Sequence, residues 1–384
     1  MDIKMYDVNW GEAILYDDGD GKILVDCGSK FHSKGDMAYN AVKNDFCFGK
    51  DALLITHFDE DHYNGVFSMA DAGKRLNRVF LPKYLFLRKD GGLRSTDGYF
   101  ASVIYFHLLG KKRKLNSLNR LIISLIKTAS NIKSVAHGDY VGFGSTRLNV
   151  IWPEEETLLP FDSLAEELRS ICVEVLGDSP NSIERLNGTV NRYIKVFVDF
   201  YRAIDSDEYN NEMPYEEILF RLNDAHENLL GYENEVGFII TGETSKVVNS
   251  KISNFIKSQN DCSIVFCNDE EVLALGDVSN KVVKRLREVG RITDYYKYVK
   301  APHHGTVAYY SPLLPKADNV FISNNGDVHR NWKISDEYAW QYKDKCYCTN
   351  TNRIRCEWLL NGNPYCKACN ISRSTSANPR CLTI

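Results

Sequence analysis

The segment from 51 to 65, DALLITHFDEDHYNG, is the feature that most constrains the fold of this chain of 384 residues. Its apolar run predicts a buried strand that ends near residue 57, and NGVFSMADAG (64–73) predicts a helix closed by Gly73. Between them lie four side chains of the metal-ligand type: His57, Asp59, Asp61 and His62. Buried together, they would leave costly unpaired polar groups unless a cation paired them. The segment therefore predicts a metal site on a strand-end loop.

Three further segments place acids or histidines at the ends of predicted strands. KAPHHGT (300–306) contains His303 and His304, FIITGET (238–244) contains Glu243, and ILVDCG (23–28) contains Asp26. Each segment is a weak signal alone, because paired histidines or a terminal acid also occur in polar turns. Together with the first segment, they predict two metal ions held by loops of a β-sheet.

The rest of the chain predicts a strand-rich protein interrupted by helical regions. Short apolar runs between turn residues predict strands near 3–8, 12–17, 78–86, 134–153, 235–243, 262–268, 295–305 and 317–325. Helical periodicity predicts insertions at about 95–133 and 160–232. Because aliphatic residues become sparse and cysteines frequent after about 330, we predict one domain over 1–330 and a small module over 331–384.

The net charge of −4 hides two opposite charge fields. Residues 74–133 hold 14 Lys and Arg against two acids, whereas residues 154–243 hold 21 acids against six Lys and Arg. One interpretation is two solvated helical faces that attract each other. The other is a basic arm that binds nucleic acid, with its densest stretch at Lys111, Lys112, Arg113 and Lys114.

Six of the 11 cysteines fall in the last 39 residues, at Cys346, Cys348, Cys356, Cys366, Cys369 and Cys381. Their CxC and CxxC spacings favour thiolate coordination of a structural zinc. Unpaired thiols in a small folded tail, or disulfides, are the alternatives.

Composition places the chain among ordinary globular proteins, with 43% hydrophobic and 26% charged residues. No apolar run reaches the roughly 18 residues of a membrane helix. Asp2 stands where a signal peptide needs a basic region. We therefore expect a cytoplasmic protein without a membrane partner, and the sequence leaves its oligomeric state open.

The HxDxDH pattern at 57–62, a strand-end Gly-acid pair and the late HHG together resemble the metallo-β-lactamase superfamily. The usual motif is HxHxDH, and Asp59 stands where its second His would be. This variant resembles the hydrolase domain of ComEC-type competence proteins, and phosphorylcholine esterases have similar sites. The opening YDVNWGEAILYDDGDGKILVDCG (6–28) also resembles the ComEC type, as do the segments at 137–153 and 321–331. The resemblance covers about 1–153 and 235–330.

This resemblance implies an α/β fold, a four-layer αββα metallo-β-lactamase sandwich with helical insertions and a cysteine-rich C-terminal module. It implies one metal on His57 and Asp59 and another on Asp61 and His62, with Asp61 also orienting the attacking water. Glu243 would bridge the metals. One histidine of the late pair, His303, would complete the second metal site while His304 lies beside the substrate, or the two would exchange these roles.

Two more residues enter through the resemblance. Asp26 would brace the metal-binding loop from behind. His137 is the nearest match to a third-motif histidine, and its alternative is a residue of a polar turn.

The implied cofactors are two divalent ions, zinc or manganese. Asp59 and Glu243 make the predicted ligand set rich in oxygen, which favours harder ions such as manganese or magnesium beside zinc. The implied function is a metal-dependent hydrolase, first a phosphodiesterase or nuclease that uses a metal-activated water. The alternatives are a hydrolase of a small phosphodiester or ester, such as a nucleotide signal or phosphorylcholine-like group, and a non-catalytic scaffold with a degenerate metal site.

Overall fold

The structure is a computed structural model that describes residues 1–30, 35–87, 93–95, 97–177, 179–205, 214–237, 240–324, 334–342, 345–349 and 381–383. The chain divides into two compact units. Unit 1 comprises Met1–Pro82, Thr128–Pro153 and Asn260–Ile384. Unit 2 comprises Lys83–Lys127 and Glu154–Gln259, so it takes in most of both predicted helical insertions.

Unit 1 is of mixed α/β type and contains two seven-stranded mixed sheets. The first sheet has the spatial order β16 (Cys381–Thr383), β1 (Asp2–Tyr6), β2 (Ile14–Asp17), β3 (Lys22–Val25), β4 (Ala52–Leu54), β5 (Leu76–Pro82) and β8 (Ala129–Val135). The second sheet has the order β9 (Tyr140–Phe143), β10 (Thr146–Trp152), β11 (Val265–Asn268), β12 (Val272–Ala274), β13 (Tyr295–Lys300), β14 (Lys316–Ile322) and β15 (Cys346–Cys348).

The two sheets repeat one pairing pattern. From β16, the first sheet runs through three antiparallel pairs to β3 and then three parallel pairs to β8. From β9, the second sheet also runs through three antiparallel pairs, to β12, and then three parallel pairs to β15. The first two parallel strands are therefore β3 and β4 in one sheet and β12 and β13 in the other.

One buried core joins the facing surfaces of the two sheets. It combines first-sheet residues such as Ile23 and Leu54 with second-sheet residues such as Val272 and Tyr298. A second core covers the outer face of the second sheet, where Leu273, next to Val272, packs with two helices. Neighbouring residues enter opposite cores because successive side chains of a strand point to opposite faces. The helices of unit 1 are α1 (Gly35–Val42), α2 (Glu60–Tyr63), α3 (Gly65–Asp71), α10 (Asn280–Glu288) and α11 (Glu337–Tyr342).

The described residues of unit 2 form helices and one short hairpin. Its helices are α4 (Gly98–Leu108), α5 (Arg113–Thr128), α6 (Leu159–Leu176), α7 (Pro180–Asp205), α8 (Tyr215–Val236) and α9 (Gly242–Asp261), and its hairpin pairs β6 (Phe86–Leu87) with β7 (Leu93–Ser95). Aromatic rings fill its core: Tyr99 packs against Phe100, Phe161 and Phe255 at centroid distances of 5.2–5.3 Å. These rings come from α4, α6 and α9, so segments far apart in the sequence share this core.

The strand predicted over 235–243 is wrong in its described part. Helix α8 extends to Val236, and α9 already begins at Gly242. A short apolar run fits either a strand or a buried helix segment, and only its partners decide between them. Here Val248 and Phe255, seven residues apart, are buried on one face of α9.

Two other expectations differ from the structure. The helical region predicted over 95–133 ends earlier, because residues 129–135 form β8 beside β5. The described residues after 330 do not form the separate module that the sequence predicted. Strand β15 adds to the second sheet and β16 adds to the first, so backbone pairing incorporates them into unit 1.

The length and hydropathy of each described helix indicate whether it could span a membrane. Within the described residues, no helix combines the length and the apolar character that crossing a bilayer requires.

Candidate metal centre

The loops that follow the first two parallel strands of each sheet carry a cluster of acids and histidines. In the first sheet, Asp26 follows β3, and the segment 57–62 follows β4. In the second sheet, Asp277 follows β12, and the pair at 303–304 follows β13. The repeated pairing pattern therefore places an acid and then two histidines in equivalent positions of both sheets.

Three residues of the cluster have strained backbone. The φ angles of Asp26, His303 and His304 are +58°, +42° and +56°, in the left-handed region that side chains other than glycine rarely adopt. Backbone hydrogen bonds hold these turns: Asp26 N donates to Leu54 O at 2.8 Å, and His303 N donates to Gly276 O at 3.0 Å. Strain of this kind concentrates at functional sites, where the surrounding fold enforces it.

Four imidazoles point the same ring nitrogen at one carboxylate oxygen. The Nε2 atom of His62 lies 3.3 Å from Oδ2 of Asp277. The corresponding distance is 3.8 Å for both His303 and His304 and 4.0 Å for His57. Asp277 and three of the histidines are buried, and only the His303 side chain is substantially exposed, at 20%.

The opposite ring nitrogen of each histidine contacts an acceptor. Nδ1 of His62 lies 2.8 Å from the Asp26 carboxylate, and Nδ1 of His304 lies 2.9 Å from the Ser323 carbonyl. The other two Nδ1 atoms contact threonine hydroxyls, at 3.1 Å in His57 and 2.9 Å in His303.

Both hydroxyls already donate their own hydrogens elsewhere. Thr56 donates to Asp26, and Thr306 donates to the His303 carbonyl. Each hydroxyl therefore accepts from the imidazole, and we infer that all four rings carry hydrogen on Nδ1. The Nε2 atoms of all four rings face Asp277 and become available to a cation in their unprotonated form. Metal-binding histidines are oriented in this way by their outer partners.

The charge of the centre is strongly negative. Glu12, Asp26, Asp61 and Asp277 contribute carboxylates to it, and the buried Lys300 pairs with two of them, Glu12 and Asp277. Burial lowers the pKa of His303, and that of His304 well below its ordinary value, so both rings are neutral. Four carboxylates and several imidazole lone pairs around one small volume favour a bound cation.

The pKa values of His62 and Asp277 are also shifted by the charges around them. Burial opposes a charged His62, but the carboxylates of Asp277 and Asp26 raise its pKa well above the ordinary value. Burial likewise opposes a charged Asp277, but the histidines around it lower its pKa well below the ordinary value. Positive charge is therefore most stable between His62 and Asp277.

Asp61 lies on the solvent side of the centre. Its side chain is 16% exposed, and its Oδ2 lies 3.9 Å from Nε2 of His304. Burial raises the pKa of Asp61 to about 6. Asp59, which precedes α2, is half-buried and contributes to the field at Asp61 and His303.

The donor atoms are close enough together for a metal ion. Three sets have their ligand atoms within 4.8 Å of one another: His57, His62 and Asp277; Asp61, His62 and His304; and Glu12, Asp26 and His62. Buried histidine, aspartate and glutamate groups of unit 1 could thus hold a metal ion. Imidazole nitrogen and carboxylate oxygen are the donors that zinc and manganese accept.

The structure places the predicted bridging acid elsewhere. Glu243 is an exposed residue in the first turn of α9 in unit 2, and the acid that lies among the histidines is Asp277. Both follow an apolar run and a glycine, FIITGE and VLALGD, so local pattern did not distinguish them. The useful signal was order along the chain, since VLALGD directly follows the strand CSIVFCN and precedes KAPHHGT.

His137 falls outside the cluster. It is exposed in the turn after β8, where its backbone N donates to Pro153 O. This is the polar-turn alternative rather than a position beside Asp277. Sequence reasoning also missed Glu12 and Lys300, since a buried Lys–Glu pair has no local sequence signature.

The cysteine cluster is described only in part. Cys346 and Cys348 are buried in strand β15, and their thiols donate to the carbonyls of Tyr338 and Asn324. They belong to the apolar core on the outer face of the second sheet. Cys381 begins β16 in the first sheet, whereas Cys356, Cys366 and Cys369 lie outside the described residues. A structural zinc on these six residues stays a prediction, with Cys346 and Cys348 accounted for as core residues.

The densest basic stretch lies at the start of α5 in unit 2. Lys112 pairs with Glu233 of α8 at 2.5 Å, so the basic and acidic segments make contact here. Lys83 and Asp205 form a second pair of this kind, at 3.2 Å. These pairs agree with the interpretation of two helical faces that attract each other, and both are compatible with anion binding by neighbouring basic residues.

No family model and no curated protein matches the chain. The motif and the geometry of the centre are therefore the basis of the function proposed below.

Proposed function

We propose that this protein is a metal-dependent hydrolase with a metallo-β-lactamase-like fold, most similar in its motif to the ComEC-type hydrolase domain. The observation that carries the proposal is the convergence of four Nε2 atoms on Oδ2 of Asp277, at 3.3–4.0 Å. Each imidazole is held from its other nitrogen. A purely structural polar cluster has no need for four imidazoles oriented around one carboxylate.

The architecture supports the same proposal. Two sheets with one pairing pattern share a core, and helices cover the outer face of the second sheet. This agrees with an αββα sandwich built from two similar halves. Asp277 also removes one reason for proposing a degenerate site, because an aspartate among the histidines would take the role proposed for Glu243.

The residues divide the work of the centre. His57 and Asp59 would hold one ion, Asp61, His62 and His304 the other, and Asp277 would contribute to both. Bound divalent ions would supply a Lewis acid and an activated water at neutral pH. Asp61, partly exposed and with a pKa raised by burial to about 6, is suited to orient that water and accept a proton from it. His303 is the most exposed of the four imidazoles, and the Tyr309 ring stacks on it at a centroid distance of 3.8 Å.

A phosphodiester is the substrate class that this centre suits best. Its reaction develops charge on non-bridging oxygens, which a dinuclear centre stabilises without a covalent nucleophile. The basic stretch of α5 favours nucleic acid as the source of that phosphodiester. The pairing of Lys112 with Glu233 favours the second candidate, a small phosphodiester or ester, because it consumes part of the basic charge.

The first experiment removes two ligands together. Asp61→Ala with His62→Ala should release at least one equivalent of metal, measured by mass spectrometry on untagged protein. It should also abolish hydrolysis of a chromogenic phosphodiester in manganese or zinc. His137→Ala is the matched control, because it removes an exposed imidazole outside the cluster. If the double variant keeps full metal content and activity, the proposed centre is wrong.

The second experiment tests the substrate class. Replacing Lys111, Arg113 and Lys114 with Gln leaves the Lys112–Glu233 pair intact. For a nucleic-acid substrate, binding of long DNA should weaken and its log–log salt dependence should flatten, by about 0.9 for each phosphate of duplex DNA that the variant no longer binds. Hydrolysis of the chromogenic phosphodiester should stay unchanged.

The control for this test carries the same change in charge. Lys281, Lys284 and Arg285 are exposed on α10 of unit 1, and their replacement with Gln should leave DNA binding unaltered. If both triple variants lose binding equally, total charge and not this stretch binds DNA. If neither changes DNA binding while the protein hydrolyses a small ester, the second candidate replaces the nuclease.

A further inference from the structure

Lys300 is a buried cation to which the proposed hydrolysis assigns no role. It is the last residue of β13, three positions before the histidine pair, and its side chain is 1% exposed. A lysine is almost never fully buried unless charged and polar partners compensate it. Its contacts therefore indicate why unit 1 retains it.

The ammonium group of Lys300 contacts two atoms of the turn that follows β12. Nζ donates to the carbonyl of Gly276 at 2.9 Å and lies 3.6 Å from Oδ1 of Asp277. Backbone and carboxylate of the turn after β12 are thus held by the same cation. With Oδ1 directed toward Lys300, the other oxygen, Oδ2, faces the four imidazoles.

Glu12 holds Lys300 from the opposite direction. Its Oε2 lies 2.6 Å from Nζ, and its side chain is also 1% exposed. The backbone of Glu12 belongs to the other half of the centre, because its N donates to Asp61 O at 3.0 Å and its O accepts from Gly28 N at 2.9 Å. The Glu12–Lys300 pair therefore links the loop that carries Asp61 to the turn that carries Asp277.

We propose that Lys300, held by Glu12, is a positioning residue that fixes Asp277 with Oδ2 directed into the metal centre. The inference rests on the proposed function, since it assigns these two residues a role toward the metal ions of that centre. Lys300 acts through Asp277 and does not itself contact the imidazole lone pairs. Outer partners of metal ligands commonly act in this way, and their loss weakens metal binding by about 10- to 100-fold.

A charge-only role for Lys300 predicts the opposite sign. Lys300→Met leaves the centre one charge more negative, which by itself attracts a divalent cation more strongly. Loss of positioning weakens binding in spite of that added charge. The direction of the change in the metal dissociation constant therefore distinguishes the two roles.

The decisive variant removes both members of the pair. Burial raises the pKa of Glu12 to about 7, so the comparison is made above that pH, where Glu12 is ionised. There, Glu12→Gln with Lys300→Met takes away one negative and one positive charge, and the net charge of the centre is conserved. Titration of metal-free protein with Mn²⁺ should give a dissociation constant raised by about 10- to 100-fold. The visible spectrum of the Co²⁺ form should also change, because the coordination by Asp277 changes.

Two controls accompany this variant. Lys345→Met with Asp318→Asn removes an exposed pair of unit 1, 3.3 Å apart, and should leave metal binding unchanged. Thermal unfolding of each metal-free variant checks that it folds. If the double variant does not fold, Lys300→Arg and Lys300→Met are compared, and the arginine should bind Mn²⁺ more tightly because it retains a cation beside Asp277.

The outcomes separate the two proposals. Wild-type protein that binds no metal contradicts the proposed function. Wild-type and double variant with equal Mn²⁺ affinity and identical Co²⁺ spectra contradict only the role of Lys300. Tighter binding by Lys300→Met shows that Lys300 does no more than neutralise charge, and equal binding by the Arg and Met variants overturns the need for a cation at this position.

Discussion

Asp277→Asn is expected to reduce hydrolysis by about a thousandfold, which corresponds to roughly 4 kcal/mol in the activation barrier. Asparagine keeps the size of the side chain and an oxygen for Lys300 but removes the negative charge toward which four Nε2 atoms point. Metal content measured by mass spectrometry should fall in parallel with the rate.

Glu243→Gln is the matched control for this prediction. It removes an exposed acid that also follows an apolar run and a glycine, in the first turn of α9. Activity and metal content should stay at the wild-type level. A result in which Glu243→Gln is inactive and Asp277→Asn is active would overturn the assignment of the bridging acid from the structure.

Gly28→Ala is the second variant with a large expected effect. A Cβ atom at Gly28 would overlap the carbonyl group of Asp61 and the backbone N of His62. Gly28 itself is held in place because its backbone N donates to Glu12 O. The loop that carries Asp61 and His62 must therefore move. We expect a loss of about 1–3 kcal/mol in the free energy of unfolding, typical of overpacking. Mn²⁺ affinity should fall by at least about tenfold, because the ligands move together.

Chemical denaturation and Mn²⁺ titration measure the two effects. Gly188→Ala is the control, because a Cβ atom added to this exposed glycine of α7 would have no other atom within 4 Å, and alanine favours a helix by up to about 1 kcal/mol. It should therefore be as stable as wild type or more stable, with normal metal binding. Unchanged stability and metal affinity in Gly28→Ala would show that the loop tolerates displacement.

Local sequence determined the strand-end loops of the centre. The ligand-type residues at 57–62 are too dense for an ordinary turn, and the structure brings His57, Asp61 and His62 together with Asp26 and the pair at 303–304. Most strands of unit 1 were also predictable, because short apolar runs between glycine-rich turns usually form strands. The proposed family rests on the same local patterns.

Tertiary structure, and not the local sequence pattern, decided which acid joins the histidines. FIITGE and VLALGD are equivalent as local patterns, but only the second follows a strand that pairs within the sheet of His303 and His304. The first run lies between two helices whose burial comes from packing within unit 2. Whether a short apolar run forms a strand or a helix depends on the residues that pack against it in space. Local periodicity does not encode those contacts.

The same limit applies to the charges. The sequence determined that a basic and an acidic segment exist, yet the partner of Lys112 is 121 positions away, at Glu233. The link from Asp61 through Glu12 and Lys300 to Asp277 likewise joins residues from four separate segments. The closing of the two sheets on one core brings Glu12, Lys300 and Asp277 within contact distance. A buried ion pair is stable only where the surrounding fold supplies both partners together.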